Sequence, residues 1–160
     1  MSLSKAMNKA LNTQVGDELQ ASNQYLAIAG YFDAEDLPLL AGFYFKQSNE
    51  EREHGLKIVK YILEAGGRLE VPAIEATVNT FKVPEDAFKL SVEWEKGVTR
   101  KIHALVDRAI KENDHATREF LGWFVKEQVE EEATMNRLLN QSKRSGGNIL
   151  LMEAYLVHTK

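Results

Sequence analysis

Four glutamates and a histidine occupy positions where the hydrophobic pattern of the chain calls for apolar residues. The segment "NEEREHG", residues 49–55, interrupts a stripe of apolar residues at three-to-four spacing, and places Glu51 and His54 on the core-facing side of a helix. The same spacing places one glutamate on the apolar stripe of three other segments: Glu18, Glu95 and Glu131. A single glutamate of this kind is usually a boundary residue that reaches solvent. Four of them, one on each of four helices, indicate a buried cation because unpaired carboxylates are rarely buried.

Metal is the cation that this pattern predicts. No lysine or arginine occupies these stripes at the level of the glutamates, so the side chains themselves supply no neutralising charge. Carboxylates and imidazole suit iron or manganese, and the absence of cysteine argues against a structural zinc site. Four glutamates balance the charge of two divalent ions. The residues therefore predict a di-metal carboxylate site.

Sparse proline and glycine predict that long helices position these residues. Prolines occur only at 38, 72 and 84, and paired glycines only at 66–67 and 146–147. Asp36 and Asp114 are predicted caps, and Pro38 and Pro84 suit first turns. The predicted helices span, approximately, residues 4–32, 38–65, 84–113, 114–143 and, for a short apolar final helix, 148–158.

The connections predict an all-α four-helix bundle with one long crossover. Short turns make the first and second helices antiparallel, and likewise the third and fourth. The 18 residues 66–83 between the second and third helices can span roughly 60 Å, enough to run the length of the bundle. Measured from the turns near residues 34 and 113, all four glutamates lie 16 to 18 residues away. They are therefore expected to meet at mid-bundle.

Composition limits the classes of partner. The 160 residues carry a net charge of −4 and are expected to form one domain, residues 1–160. The chain has no basic cluster of the kind that binds nucleic acids. No run of apolar residues approaches the roughly 20 that a membrane span needs. The first residues lack the apolar region of a signal peptide, so the expected location is cytoplasmic.

Four motifs resemble the ligand-bearing helices of the ferritins, specifically the haem-free bacterial type: "DELQASNQYL", "NEEREHG", "EWEKGVTRKI" and "WFVKEQVEEE". The resemblance covers essentially the whole chain, including the crossover and the short fifth helix. It implies a first iron held by Glu18, Glu51 and His54, and a second held by Glu51, Glu95 and Glu131, with Glu51 bridging. It further implies roles near these irons for the side chains of Gln128 and Tyr25, and a third iron position at Glu50, Glu127 and Glu130.

Departures from related patterns refine this resemblance. Bacterioferritins ligate haem with a methionine after the bridging glutamate, where this chain has Arg52, so no haem is expected. Bacterioferritins and rubrerythrins have a second histidine where this chain has Thr134. Animal ferritins line their three-fold iron channels with acidic residues where this chain has Arg118 and Leu121, which argues against iron entry by that route.

The resemblance implies an iron-storage protein with ferroxidase activity. Fe(II) would be oxidised by dioxygen or peroxide, with Tyr25 as an electron donor, and the ferric mineral stored inside a shell of twenty-four subunits. The apolar segment "ILLMEAYLVH" would meet its copies at four-fold axes. Two alternatives stay open: a small di-iron or di-manganese oxidase without storage, and a metal-free structural bundle.

Overall fold

Five helices make up the fold of the computed structural model, which describes residues 2–157. They are α1 (Lys5–Ala34), α2 (Pro38–Glu64), α3 (Pro84–Lys111), α4 (His115–Arg144) and α5 (Ile149–Val157). This order confirms the predicted all-α bundle with a long crossover and a short fifth helix. The predicted end of the fifth helix at residue 158 lies outside the described residues.

A capping side chain or a proline marks the start of each of the four long helices. The side chains of Ser4 and Asp114 accept hydrogen bonds from the first turns of α1 and α4. Pro38 and Pro84 lie in the first turns of α2 and α3, where a missing N–H costs no helical hydrogen bond. These ends fix the lengths of the helices and hence the height of each site residue.

Asp36 does not cap α2, and that prediction was wrong. Its backbone lies in the left-handed region at φ 58°, and Leu37 precedes the helix without a side-chain cap. The free N–H groups of Leu39 and Leu40 instead donate to the carboxylate of Glu153 on α5, at 2.5 and 2.9 Å. A carboxylate at a helix N-terminus is also favoured by the helix dipole. The fifth helix therefore supplies the cap that the turn was predicted to supply.

Two buried amides attach the crossover to α1. Asn12 donates to the carbonyl of Arg68 and accepts from the N–H of Glu70, while Gln24 bonds both backbone groups of Val78. Asn12 binds the beginning of the crossover, and Gln24, twelve residues further along α1, binds a later part of it. The crossover therefore runs alongside α1. It therefore returns the chain to the end where α2 begins, and α3 starts there parallel to α2. The Tyr44 and Ser91 hydroxyls, near the starts of these two helices, lie 2.8 Å apart.

The apolar core forms two clusters. One contains Tyr25, Phe32 and Phe88 with Met152 of α5, and the other contains Met7, Ile58 and Phe124. None of the helices formed by the described residues is long and apolar enough to cross a membrane.

Two core positions differ from the predicted stripes by one residue. Helical spacing places Val106 and Phe120 on the apolar stripes of α3 and α4, but Leu105 and Leu121 are the buried residues and Val106 and Phe120 are only half-buried. A period of 3.6 residues alternates steps of three and four, and packing against the neighbouring helices decides which step is taken.

Candidate metal centre

The structure places the four stripe glutamates and His54 in the bundle interior. Glu18, Glu51 and Glu95 are at most 1% exposed, Glu131 is 5% exposed and His54 is 7% exposed. Each glutamate comes from a different long helix, and His54 follows Glu51 by three residues, so both lie on the same face of α2. The helix lengths and the two tight turns bring them to one level.

Ligand atoms from these residues form two trios that share Glu51. Glu18, Glu51 and His54 each offer one atom within 4.8 Å of the others, and so do Glu51, Glu95 and Glu131. Oxygens on opposite sides of a small divalent ion lie roughly 4 Å apart at bond lengths near 2.1 Å. Each trio can therefore close around one ion, with Glu51 reaching both.

Burial and mutual repulsion disfavour the ionised form of these carboxyl groups. Burial, reinforced by the charge of Glu51, raises the pKa of Glu18 well above its usual value. The same causes raise the pKa of Glu95 to about 8 and that of Glu131 to about 9. Burial lowers the pKa of His54, but the hydrogen bond and charge of Glu51, together with the charges of Glu127 and Glu95, outweigh burial and leave it raised. The centre is short of positive charge.

The surroundings of the cluster fit a divalent metal. Among residues 2–157, no lysine or arginine nitrogen lies within 4 Å of a carboxylate oxygen of the four glutamates, and His54 is their only basic neighbour at that distance. The Oε2 atom of Glu18 is buried and accepts no hydrogen bond from any described group. A hard cation would satisfy this oxygen and relieve the repulsion. The donor set, carboxylates with one imidazole, is the set that iron and manganese accept.

Tyr25 and Gln128 both contact the carboxylate of Glu95. The Tyr25 hydroxyl donates to Oε1 at 2.5 Å, and the Gln128 amide donates to Oε2 at 3.1 Å. Burial, together with the charge of Glu95, raises the pKa of Tyr25 well above its usual value, so the phenol keeps its proton. Both residues therefore contact a member of the second trio, and the roles near the irons that the resemblance implies for them stay predictions.

The Thr99 hydroxyl and the Glu132 carboxylate orient Gln128. The sequence did not mark either of them as a site residue. The amide of Gln128 also donates to the Thr99 hydroxyl at 3.2 Å, and that hydroxyl lies 2.9 Å from Oε2 of Glu132. Glu132 is the last residue of the acidic run 130–132. No sequence signal marks the pair, because Thr99 and Glu132 meet only when α3 packs on α4.

Two buried glutamines also escaped assignment. Gln14 donates to Glu18 at 3.1 Å, and Gln47 donates to Glu51 and Glu131 at 2.9 and 2.7 Å. Both glutamines stand four residues before a stripe glutamate on the same helix, which is the spacing at which helical side chains meet. The spacing Q-x-x-x-E, which occurs at both glutamines, is the sequence signal that could have identified them.

Glu50, Glu127 and Glu130 line one cavity of about 280 Å³, but they do not form a ligand group of their own. Glu50 lies 3.9 Å from the ammonium of Lys46, one turn earlier, and Glu130 is exposed. The third group of potential ligands among the described residues combines Glu127 with His54 and Glu131. Assignment of a third ion to the predicted trio stays a prediction.

Aromatic packing fixes the ring of His54. Trp123 and Phe124 lie edge-on to the imidazole, with ring centroids 5.3 and 6.2 Å away. The Lys57 ammonium covers the Trp123 ring at 3.5 Å from its centroid, a cation–π contact. With Nδ1 of His54 3.2 Å from Glu51, the ring is held in one orientation.

The departures noted in the sequence lie at distinct places. Arg52 and Arg118 are exposed, and Thr134 is half-buried in the wall of the 280 Å³ cavity. Leu121 is fully buried in the core, so it lines no surface channel of the subunit.

Fold and site together define a class: a four-helix bundle whose buried carboxylates and histidine form two adjacent candidate groups for divalent cations. A family model described as a ferritin-like domain matches residues 8–145. Ferritin BfrB of Mycolicibacterium smegmatis is 40% identical over 91% of this chain and 81% of its own length. A bacterial non-heme ferritin of Staphylococcus haemolyticus is 39% identical over 96% and 92%.

A solved structure agrees with these relatives. The chain of an open pore ferritin from the hyperthermophilic archaeon Archaeoglobus fulgidus superposes with a TM-score of 0.94, at 35% identity and over 96% of both chains. The protein belongs to the ferritin family, and its resemblance to the haem-free bacterial type is confirmed.

Proposed function

We propose that this protein is an iron-storage ferritin that oxidises Fe(II) at a di-iron ferroxidase centre. The observation that carries the proposal is the pair of buried ligand trios that share Glu51. Fe(II) is the substrate. In this assignment Glu18, Glu51 and His54 bind the first ion, and Glu51, Glu95 and Glu131 bind the second.

The reaction that such a centre supports is a two-electron transfer. Each of two Fe(II) ions loses one electron, and dioxygen accepts both with two protons to become hydrogen peroxide. Peroxide as the oxidant takes two electrons and two protons to become two water molecules. Binding of Fe(II) displaces protons from the carboxyl groups whose pKa is raised, which makes protons available near the site. Tyr25, hydrogen-bonded to Glu95, is the proposed donor of a further electron, with that carboxylate as acceptor for its proton.

Storage requires an assembled shell, and α5 offers an apolar surface for assembly. Leu150, Leu151 and Val157 are 55 to 66% exposed in the single subunit, although Met152 on the same helix is buried. Contact with further copies of α5 would cover these side chains. We propose a shell of twenty-four subunits in the cytoplasm, in keeping with the ferritin relatives.

The two alternatives make different predictions. A small di-metal oxidase would bind and oxidise Fe(II) without accumulating ferric mineral. A metal-free structural bundle would bind no Fe(II), and it leaves the uncompensated carboxylates unexplained.

One experiment separates these readings. The purified apoprotein is titrated anaerobically with Fe(II), then exposed to oxygen, while absorbance and particle size are followed. We expect saturable binding of two Fe(II) per subunit, rapid oxidation, and a large particle that retains far more iron than its binding sites account for. Oxidation by a small particle without retained iron would favour the oxidase, and no binding would refute the proposal.

A further inference from the structure

Gln14 holds one oxygen of Glu18 in the first trio. Its amide donates to Oε1 of Glu18 at 3.1 Å, and both side chains are at most 2% exposed. The other oxygen, Oε2, lies 4.0 Å from Nδ1 of His54 and accepts no hydrogen bond from a described group. The hydrogen bond thus orients Glu18 so that its free oxygen, Oε2, faces the first metal position, which lies between Glu18, Glu51 and His54.

Gln47 joins Glu131, a member of the second trio, to Glu51, which both trios share. Its amide nitrogen carries two hydrogens, and it donates to Oε1 of Glu51 on its own helix and to Oε2 of Glu131 on α4. Gln47 is 4% exposed, so neither bond is readily exchanged for a bond to water. This single amide therefore sets the distance between the carboxylates of α2 and α4.

A neutral amide suits this task better than a cationic side chain. An amide hydrogen bond orients a carboxylate without cancelling its charge, whereas lysine or arginine would compete with the metal for it. The bonds lower the pKa of Glu18 and of Glu131 but do not offset burial and repulsion. The carboxylates remain oriented and still short of positive charge.

We propose that Gln14 and Gln47 are positioning residues, Gln14 for the first metal position and Gln47 chiefly for the second. The inference rests on the proposed function and deepens it. Among the described residues the Gln14 amide donates to Glu18, which belongs to the first trio alone, whereas Gln47 donates to Glu131 of the second trio and to Glu51, which both trios share. Residues that orient metal ligands typically change metal affinity by about 10- to 100-fold when they are replaced.

The test uses Gln14→Met and Gln47→Met, which keep the approximate length of the side chain and remove its donors. Assembled apoprotein is titrated anaerobically with Co(II), followed by calorimetry and by visible absorption, which report affinity and coordination separately. We expect two binding steps in the unaltered protein. Gln14→Met should weaken one step by about 10- to 100-fold and leave the other nearly unchanged, whereas Gln47→Met should weaken the second of these steps by about 10- to 100-fold and the first by less, because Glu51 serves both.

Ligand variants assign each step to a position. Glu18→Gln affects the first trio alone, and Glu131→Gln removes a ligand of the Glu51–Glu95–Glu131 trio. Gln14→Met should weaken the step that Glu18→Gln abolishes and add little in the Glu18→Gln background, because it acts through Glu18. The same non-additivity is expected for Gln47→Met with Glu131→Gln.

Gln24→Met is the matched control. Gln24 is a buried amide with two hydrogen bonds, but both go to the backbone of Val78. This variant should lower stability without changing either Co(II) step. If the methionine variants do not assemble, Gln14→Asn and Gln47→Asn, which retain the amide but shorten its reach, replace them with the same expected loss.

Three outcomes overturn the inference. Unchanged Co(II) steps in both variants would remove the positioning role, and equal weakening of both steps by either variant would remove the division between positions. Loss of Co(II) affinity in Gln24→Met would show that any buried amide has this effect. A failure of the unaltered protein to bind Co(II) is a different result, because it refutes the proposed function as well.

Discussion

Replacement of Glu131 by glutamine should make the stability of the apoprotein less dependent on pH. Glu131 is 5% exposed, and burial together with the charges of Glu51 and Glu95 raises its pKa to about 9. In the unfolded chain a glutamate titrates near pH 4.3. Between these two values the folded protein holds a proton that the unfolded chain has released. The free energy of unfolding therefore falls as the pH rises through this window, and the loss is complete only above pH 9.

The expected magnitude follows from one retained proton. Each pH unit within the window costs about 1.4 kcal/mol, so Glu131 accounts for about 2.7 kcal/mol between pH 6 and pH 8. For a chain of this length that corresponds to roughly 5 to 10 °C in the unfolding midpoint. Glu131→Gln should remove this part of the loss, and glutamine retains an oxygen that accepts the hydrogen bond from Gln47.

The assay is thermal unfolding of metal-free protein at pH 6, 7 and 8, in chelator and at fixed subunit concentration, because assembly also affects the midpoint. Glu130→Gln is the control, since it removes the same charge from an exposed position on the same helix. We expect the control to keep the pH dependence of the unaltered protein. Equal pH dependence in all three proteins would refute the reasoning that Glu131 is buried without a compensating charge.

Three further predictions concern metal binding, oxidation and assembly. Glu51→Ala combined with His54→Ala should abolish rapid Fe(II) oxidation and leave the helical circular dichroism intact; wild-type initial rates in the folded variant would rule out the assignment. Anaerobic Co(II) binding at pH 7 should release protons, detectable with a pH indicator, because the pKa values of Glu95 and Glu131 lie above 7, and release should diminish above pH 9. Deletion of residues 146–160 should preserve Co(II) binding yet lower particle size in sedimentation, since no trio member lies beyond Glu131; a full-size, equally stable particle would contradict the assembly role of α5.

The four long helices could be predicted because their signals are local. Apolar spacing, two prolines and the cap at Asp114 lie within a few residues of the features they specify, and the structure places the helix ends within about two residues of prediction. The height of the glutamates also followed from sequence, since rise per residue and two tight turns determine it. The meeting of the four inward-facing carboxylates at one level could therefore be predicted without knowledge of any side-chain conformation.

Packing decided what the local pattern left open. Asp36 looked like a cap, but the N-terminus of α2 is capped by Glu153, more than 100 residues away. A cap across that separation depends on how α5 folds back, which no short stretch of sequence encodes. The choice of Leu121 over Phe120 for the core likewise depends on the rotation of α4 against its neighbours.

The residues that orient the ligands show the same division most directly. The sequence by itself determined that Gln47 lies one turn before Glu51, but only the tertiary structure decided that its second hydrogen reaches Glu131 on α4. The tertiary structure likewise decided that the amide of Gln128 on α4 donates to Glu95 on α3 and not to a glutamate of its own helix. Periodicity specifies which face a side chain occupies, whereas a hydrogen bond between helices requires their separation, their rotation and one rotamer on each side.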